Sequence, residues 1–113
     1  MIEVKTTENA EKFGFDPSFA TLEVVEKGES LGAISVSADS ENNILYIHAL
    51  KCADALLADF LIRSAAAYGD NRYCIDMVCL DKENQKTYDL IGFIDKNGQL
   101  TLPVNKLVHK TSN

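Results

Sequence analysis

His48 stands in the run ILYIHAL at 44–50 and is one of two histidines in a chain of 113 residues. Imidazole titrates near neutral pH, so a histidine in that place is able to take a proton from an amine. Strict alternation puts it on the same side of a strand as Ile44, Tyr46 and Leu50, and among apolar neighbours a packed, hydrogen-bonded histidine is the favoured reading. Asp76, between Ile75 and Met77, is the candidate for a buried charge that faces either a cleft or a helix end. His109, beside Lys110, is expected in solvent near the tail. The three cysteines, Cys52, Cys74 and Cys79, lie in or beside apolar runs without a CxxC pair, which predicts reduced, mostly buried thiols rather than a nucleophile. The sequence has no HExxH, Walker loop, nucleophile elbow or acidic metal cluster, so neither metal nor nucleoside-triphosphate chemistry is expected.

The elements that would position these groups follow from periodicity. Residues 21–27 (TLEVVEK) and 31–38 (LGAISVSA) alternate around the turn Lys27-Gly28-Glu29-Ser30 and predict a hairpin. A polar loop at 39–43 leads to the strand at 44–50, giving three antiparallel strands. The segment 53–68 is rich in helix formers, with Asp54 placed as its cap and Gly69 as its stop; most of its circumference is apolar. YCIDMVCL at 73–80 reads as a central strand covered on both faces, and a strand, helix and strand in that order imply a right-handed crossover between parallel strands. A shorter helix over 82–90 follows, then the Asn97-Gly98 turn of a closing hairpin. Pro103 puts the last strand at an edge or interrupts it, and the tail from Lys110 is expected to fray.

With 46% hydrophobic residues, the length suits a single domain over 1–113. No apolar run is long enough to span a bilayer and the first residues lack a secretion signal, so a cytoplasmic protein is expected. The net charge of −6 comes from the amino-terminal half, where residues 1–57 hold four Lys against ten Asp and Glu. Such a surface repels phosphate backbones and anionic lipid, which argues against nucleic acid and membranes and for a cationic or amine ligand.

Three antiparallel strands, a helix, a parallel strand, a shorter helix and a closing hairpin, ending in TYDLIGF at 87–93, resemble the GNAT acetyltransferase superfamily over residues 20–108. The resemblance implies a mixed, largely antiparallel α/β sheet with one main and one shorter helix, most of the amino-terminal helices being missing. It implies acetyl-CoA as cofactor and an amine as acceptor. Tyr88 then matches the general acid, and His48 falls in the strand that lines the acetyl site and becomes the candidate base. Backbone groups of Ile47, Ala49 and Leu50 would hold the acetyl and pantetheine arm, with Lys51 near the phosphates. The chain departs from the family where Asp54 and Leu56 stand in place of two phosphate-loop glycines, and where Asp81 stands seven residues before Tyr88 in place of an asparagine. A second reading is therefore a noncatalytic binding or assembly module. Phe13, Phe15 and Phe19 are expected to plug core that helices would otherwise cover, and an exposed edge near the third or fifth strand would let a homodimer cover apolar surface.

Overall fold

Side chains at alternate positions face opposite sides of a strand, and this period draws four successive segments into an antiparallel sheet: β1 (Ile2–Thr7), β2 (Ala20–Glu26), β3 (Glu29–Asp39) and β4 (Ile44–Cys52). The computed structural model describes residues 2–108; His109 and the tail from Lys110 lie outside the described residues. Helix α1 (Ala55–Asp70) crosses from β4 to β5 (Asp76–Cys79), which pairs parallel to β4. Helix α2 (Gln85–Ile91) and the hairpin of β6 (Ile94–Lys96) and β7 (Gln99–Pro103) complete one seven-stranded sheet, ordered β1-β2-β3-β4-β5-β7-β6. The predicted α/β architecture is the one observed.

Asp54 caps α1 as expected, its carboxylate accepting the Leu57 N–H at 2.9 Å. Ala58, Leu61, Ile62, Ala65, Ala66 and Gly69 recur at helical spacing and form the buried stripe against the sheet. The helix runs through Gly69 rather than stopping there. A Cβ at that position would lie 3.2 Å from the Leu45 Cβ, so the missing side chain serves close helix-to-sheet approach. The apolar circumference is not all covered, since Leu56 and Phe60 face outward.

Several expectations about strands are corrected. The strand expected over 73–80 is confined to Asp76–Cys79, with Met77, Val78 and Cys79 buried as its central place demands. Asp76 is exposed and therefore not a buried charge. Of the two strands near which an edge was expected, the third in sequence order, 44–50, is β4 and lies between β3 and β5. The fifth falls in the closing hairpin, whose β6 takes one margin with β1 at the other. Pro103 ends β7, which lies between β5 and β6, so of its two predicted effects only the interruption occurs. Asn97 and Gly98 both adopt positive φ (56° and 85°), the requirement of a tight hairpin turn.

The sheet face away from α1 has a thin cover. A 3-10 turn at Ala10–Phe13 ends at Gly14 in the left-handed conformation (φ 74°), and Ala10 and Phe15 pack on Ala33 with Phe13 and Ala49 around them. Phe13 stacks near Phe15 with ring centroids 5.6 Å apart, the plug expected of these aromatics. Among the described residues no helix is long and apolar enough to cross a membrane.

Candidate functional site

The register between β3 and β4 breaks at His48. Ser35 pairs with Ala49 and Val36 with Ile47, so His48 is an extra residue with no partner on β3. Such a bulge bends the strand and resets its facing pattern. Leu45 and Ile47 enter the main core, and past the bulge Leu50 does too, so Leu50 does not share the side of His48 as strict alternation had it. The pairing of β4 with β5 ends at the same level, running from Ile44 with Asp76 to Ile47 with Cys79. One further bond, Leu80 N–H to the Ile47 carbonyl at 2.8 Å, closes the ladder.

Beyond that point the two chains diverge around a cleft of about 420 Å³. One wall is His48, Ala49 and Lys51 from β4, the other is Asp81, Lys82 and Glu83 after β5, and Gly14 joins from the cover. The Asn84 amide bridges the inner end, donating to the Leu50 carbonyl at 3.1 Å and to Asp81 Oδ2 at 2.7 Å. The cleft brings His48, Ala49 and Lys51 together, while Ile47 and Leu50, expected to contribute backbone groups, turn their side chains into the core. Lys51 is exposed, and a Cβ on Gly14 would lie 3.5 Å from its Nζ.

His48 is tightly held. Its ring stacks on Phe19 with centroids 3.7 Å apart and 2° between planes, and Nε2 is 2.8 Å from Ser37 Oγ. Burial depresses its pKa from 6.5, with only a smaller opposing pull from Asp16. Phe19 therefore combines packing with contact to a site residue, a role the sequence reading did not assign.

Tyr88 lies behind the cleft wall. It is fully buried, packs edge-on to Phe93 with centroids 5.4 Å apart, and donates its hydroxyl to Asp81 Oδ2 at 2.8 Å. Burial drives the phenol pKa sharply upward, helped by the neighbouring Cys79 and by the Asp81 carboxylate that accepts its hydrogen bond. Asp81 is 7% exposed and also accepts the Glu83 N–H at 2.9 Å, so its carboxylate collects three donors. Sequence reasoning noted Asp81 only as a replaced asparagine. The seven-residue spacing to Tyr88 was the available signal, because it spans the turn into α2. Burial raises the Cys79 thiol to about 11, and the Cys52 and Cys74 thiols are raised for the same cause, so none is poised as a nucleophile. Among the described residues no group of three or more His, Cys, Asp or Glu is placed to hold a metal ion.

Three antiparallel strands, the crossover helix and a parallel pair that opens at a bulge define the GNAT acetyltransferase fold, and this chain has it. Among particular proteins, it is similar to the ribosomal-protein-S18-alanine N-acetyltransferase of Escherichia coli, with a TM-score of 0.67 and 8% identity over 92% of this chain and 94% of that one. The IAA acetyltransferase of Bacillus cereus gives a TM-score of 0.67 at 12% identity, covering 91% and 99%. The N-acetylglutamate synthase of Neisseria gonorrhoeae, complexed with coenzyme A and N-acetyl-glutamate, gives 0.65 at 12% identity; the match covers 74% of this chain and 25% of that longer one. No family model and no curated protein sequence matches the chain.

Two predictions follow from the held side chains. Because the folded state disfavours protonated His48, the unfolded state takes up the proton first as pH falls below 6.5. Stability is therefore expected to decline from pH 7 through the depressed His48 pKa. NMR titration of the imidazole and urea midpoints across that range check it, the slope flattening in His48→Asn. Tyr88→Phe deprives the buried Asp81 of a donor and is expected to cost about 2 kcal/mol in urea unfolding.

Proposed function

We propose that this chain is an N-acetyltransferase that takes acetyl-CoA into the cleft between β4 and β5 and passes the acetyl group to an amine. The observation that carries this reading is the bulge at His48, which ends the β4–β5 ladder and leaves a cleft with a lysine on each wall, Lys51 and Lys82. Acetyl-CoA supplies an activated acetyl thioester when bound. Its anionic arm suits those two lysines, which compensate for the missing phosphate-loop glycines, and Asp54 already satisfies the Leu57 N–H at the start of α1.

The backbone of Ile47 to Leu50 forms the wall on which the acyl arm lies. His48 is the proton acceptor of the site: with its ring fixed by Phe19 and one nitrogen by Ser37, its depressed pKa keeps the imidazole neutral and able to take a proton. Tyr88 is the proton donor, and it works from Oη only after releasing Asp81 Oδ2. That burial favours a second reading, a noncatalytic module in which the Tyr88, Asp81 and Asn84 network holds α2 to β4.

Calorimetric titration of acetyl-CoA and CoA separates the two. Micromolar binding is expected for the wild type, roughly tenfold weaker binding for the double variant Lys51→Glu, Lys82→Glu, and binding at least as tight for Asp54→Gly, which removes a carboxylate from the helix start. No binding by the wild type would overturn the enzyme reading and leave the noncatalytic one.

A further inference from the structure

Every strand of the sheet has a neighbour on both sides except the two at its margins, β1 and β6. A marginal strand leaves alternate main-chain N–H and carbonyl groups unpaired and invites another strand, so proteins keep such strands short, bulged, interrupted by proline or mismatched in charge. β6 is protected in this way. It has only the three residues Ile94–Lys96, and a second copy laid antiparallel about its centre would set Asp95 against the partner's Asp95.

β1 has none of these protections. It runs for six residues, Ile2–Thr7, without proline, and its pairing to β2 advances without a bulge from Ile2 opposite Glu26 to Thr7 opposite Thr21. Val4 lies opposite Val24 and packs on the main core, so Ile2, Val4 and Thr6 share the face of α1, whereas Glu3, Lys5 and Thr7 share the other. Ile2 is 40% exposed, and Glu3 and Lys5 stand in solvent with no ion pair among the described residues.

The pleat restricts how two copies of β1 can pair antiparallel about a two-fold axis. Residues directly opposite must face the same side of the joined sheet, so each pair joins two residues from the same alternating set. Two registers leave a single residue of the strand over. Centred on Lys5, the pairing sets Lys5 against the partner's Lys5. Centred on Val4, it sets Glu3 against the partner's Lys5 and Lys5 against the partner's Glu3, while Val4 meets the partner's Val4 and Ile2 meets the partner's Thr6. Opposite charges face to face stabilise a strand pair and like charges destabilise it, so the residues of β1 select the register centred on Val4. Lys5 also lies across from Glu23 of β2, a residue 3% exposed whose carboxylate has Lys12 Nζ at 3.6 Å. In the selected register Lys5 stands between two carboxylates, Glu23 of its own chain and the partner's Glu3.

We infer that β1 is the contact surface for a second copy of this chain, joined antiparallel about Val4 so that two seven-stranded sheets continue into one. A foreign strand would gain the same main-chain bonds, but a copy of β1 carries the matching charges by symmetry. The inference is independent of the acetyl-transfer reading, since β2 and β3 separate β1 from the cleft beside β4 in each copy.

Sedimentation equilibrium of the intact chain is expected to show a dimer in the micromolar range. Glu3→Lys sets lysine against lysine on both sides of the axis and is expected to weaken the dimer roughly tenfold or more, with Lys5→Glu doing the same through carboxylates. A mixture of these two variants in equal amounts restores both opposite-charge pairs and is expected to form a heterodimer as tight as the wild type. Val4→Cys, which opposes itself across the axis, is expected to give a cross-linked dimer on mild oxidation, and this result carries the test should Lys5→Glu fail to fold. A wild type that stays monomeric throughout the micromolar range, a dimer indifferent to Glu3→Lys, or two weakened variants that do not pair with each other would overturn the inference.

Discussion

The unequal pairing of β4 with its two neighbours governs the molecule. With β3 it forms a long ladder from Gly32 opposite Cys52 to Asp39 opposite Ile44, whereas with β5 it shares four register positions and stops. The extra residue at His48 sits at that stopping point, and an inserted residue bends one strand away from a partner that continues straight. Strands that part would ordinarily leave their main-chain groups unpaired. Here the Asn84 amide reaches back to the Leu50 carbonyl and donates to Asp81, which the Tyr88 hydroxyl holds in turn. The cleft is thus a gap in a hydrogen-bond ladder propped open by a side-chain network.

The same network links the site to the core. Tyr88 is among the largest fully buried side chains and packs on Phe93, so the group matched to acid chemistry is also one on which α2 depends. His48 has a comparable double attachment, to Phe19 of the cover and Ser37 of β3. Precise placement of reactive groups requires such anchoring, at the expense of freedom to exchange proton partners. In the reading advanced for the cleft, release of Tyr88 from Asp81 is therefore the step that the fold itself resists.

Much of the architecture was legible because it is local. The alternation of 21–38, the helical spacing from Ala58 to Gly69 and the Asn97-Gly98 turn each carry their own structural signal, and all appear as elements. The bulge was not legible, since ILYIHAL alternates acceptably whether or not one residue is skipped, and only pairing with Ser35 and Val36 reveals the skip. Gly69 was misread as a stop because its reason lies across space, in Leu45. Lys51 and His48 were found at the cleft, but the opposite wall of Asp81, Lys82 and Glu83 was not assembled, as it depends on how far β5 extends. Glu23 was missed because TLEVVEK reads equally well with its glutamates in solvent. Its burial comes from the aromatic cover, whose docking face no local pattern specifies.

If the break in pairing at His48 creates the cofactor cleft, the amides that border it must respond together when acetyl-CoA is added. Backbone NMR shifts recorded during such a titration test this most directly. The account predicts that the largest changes cluster at residues 47–51 and 80–84, with β1 and the β6–β7 hairpin nearly unmoved. Saturating changes centred elsewhere, or none at all, would contradict it.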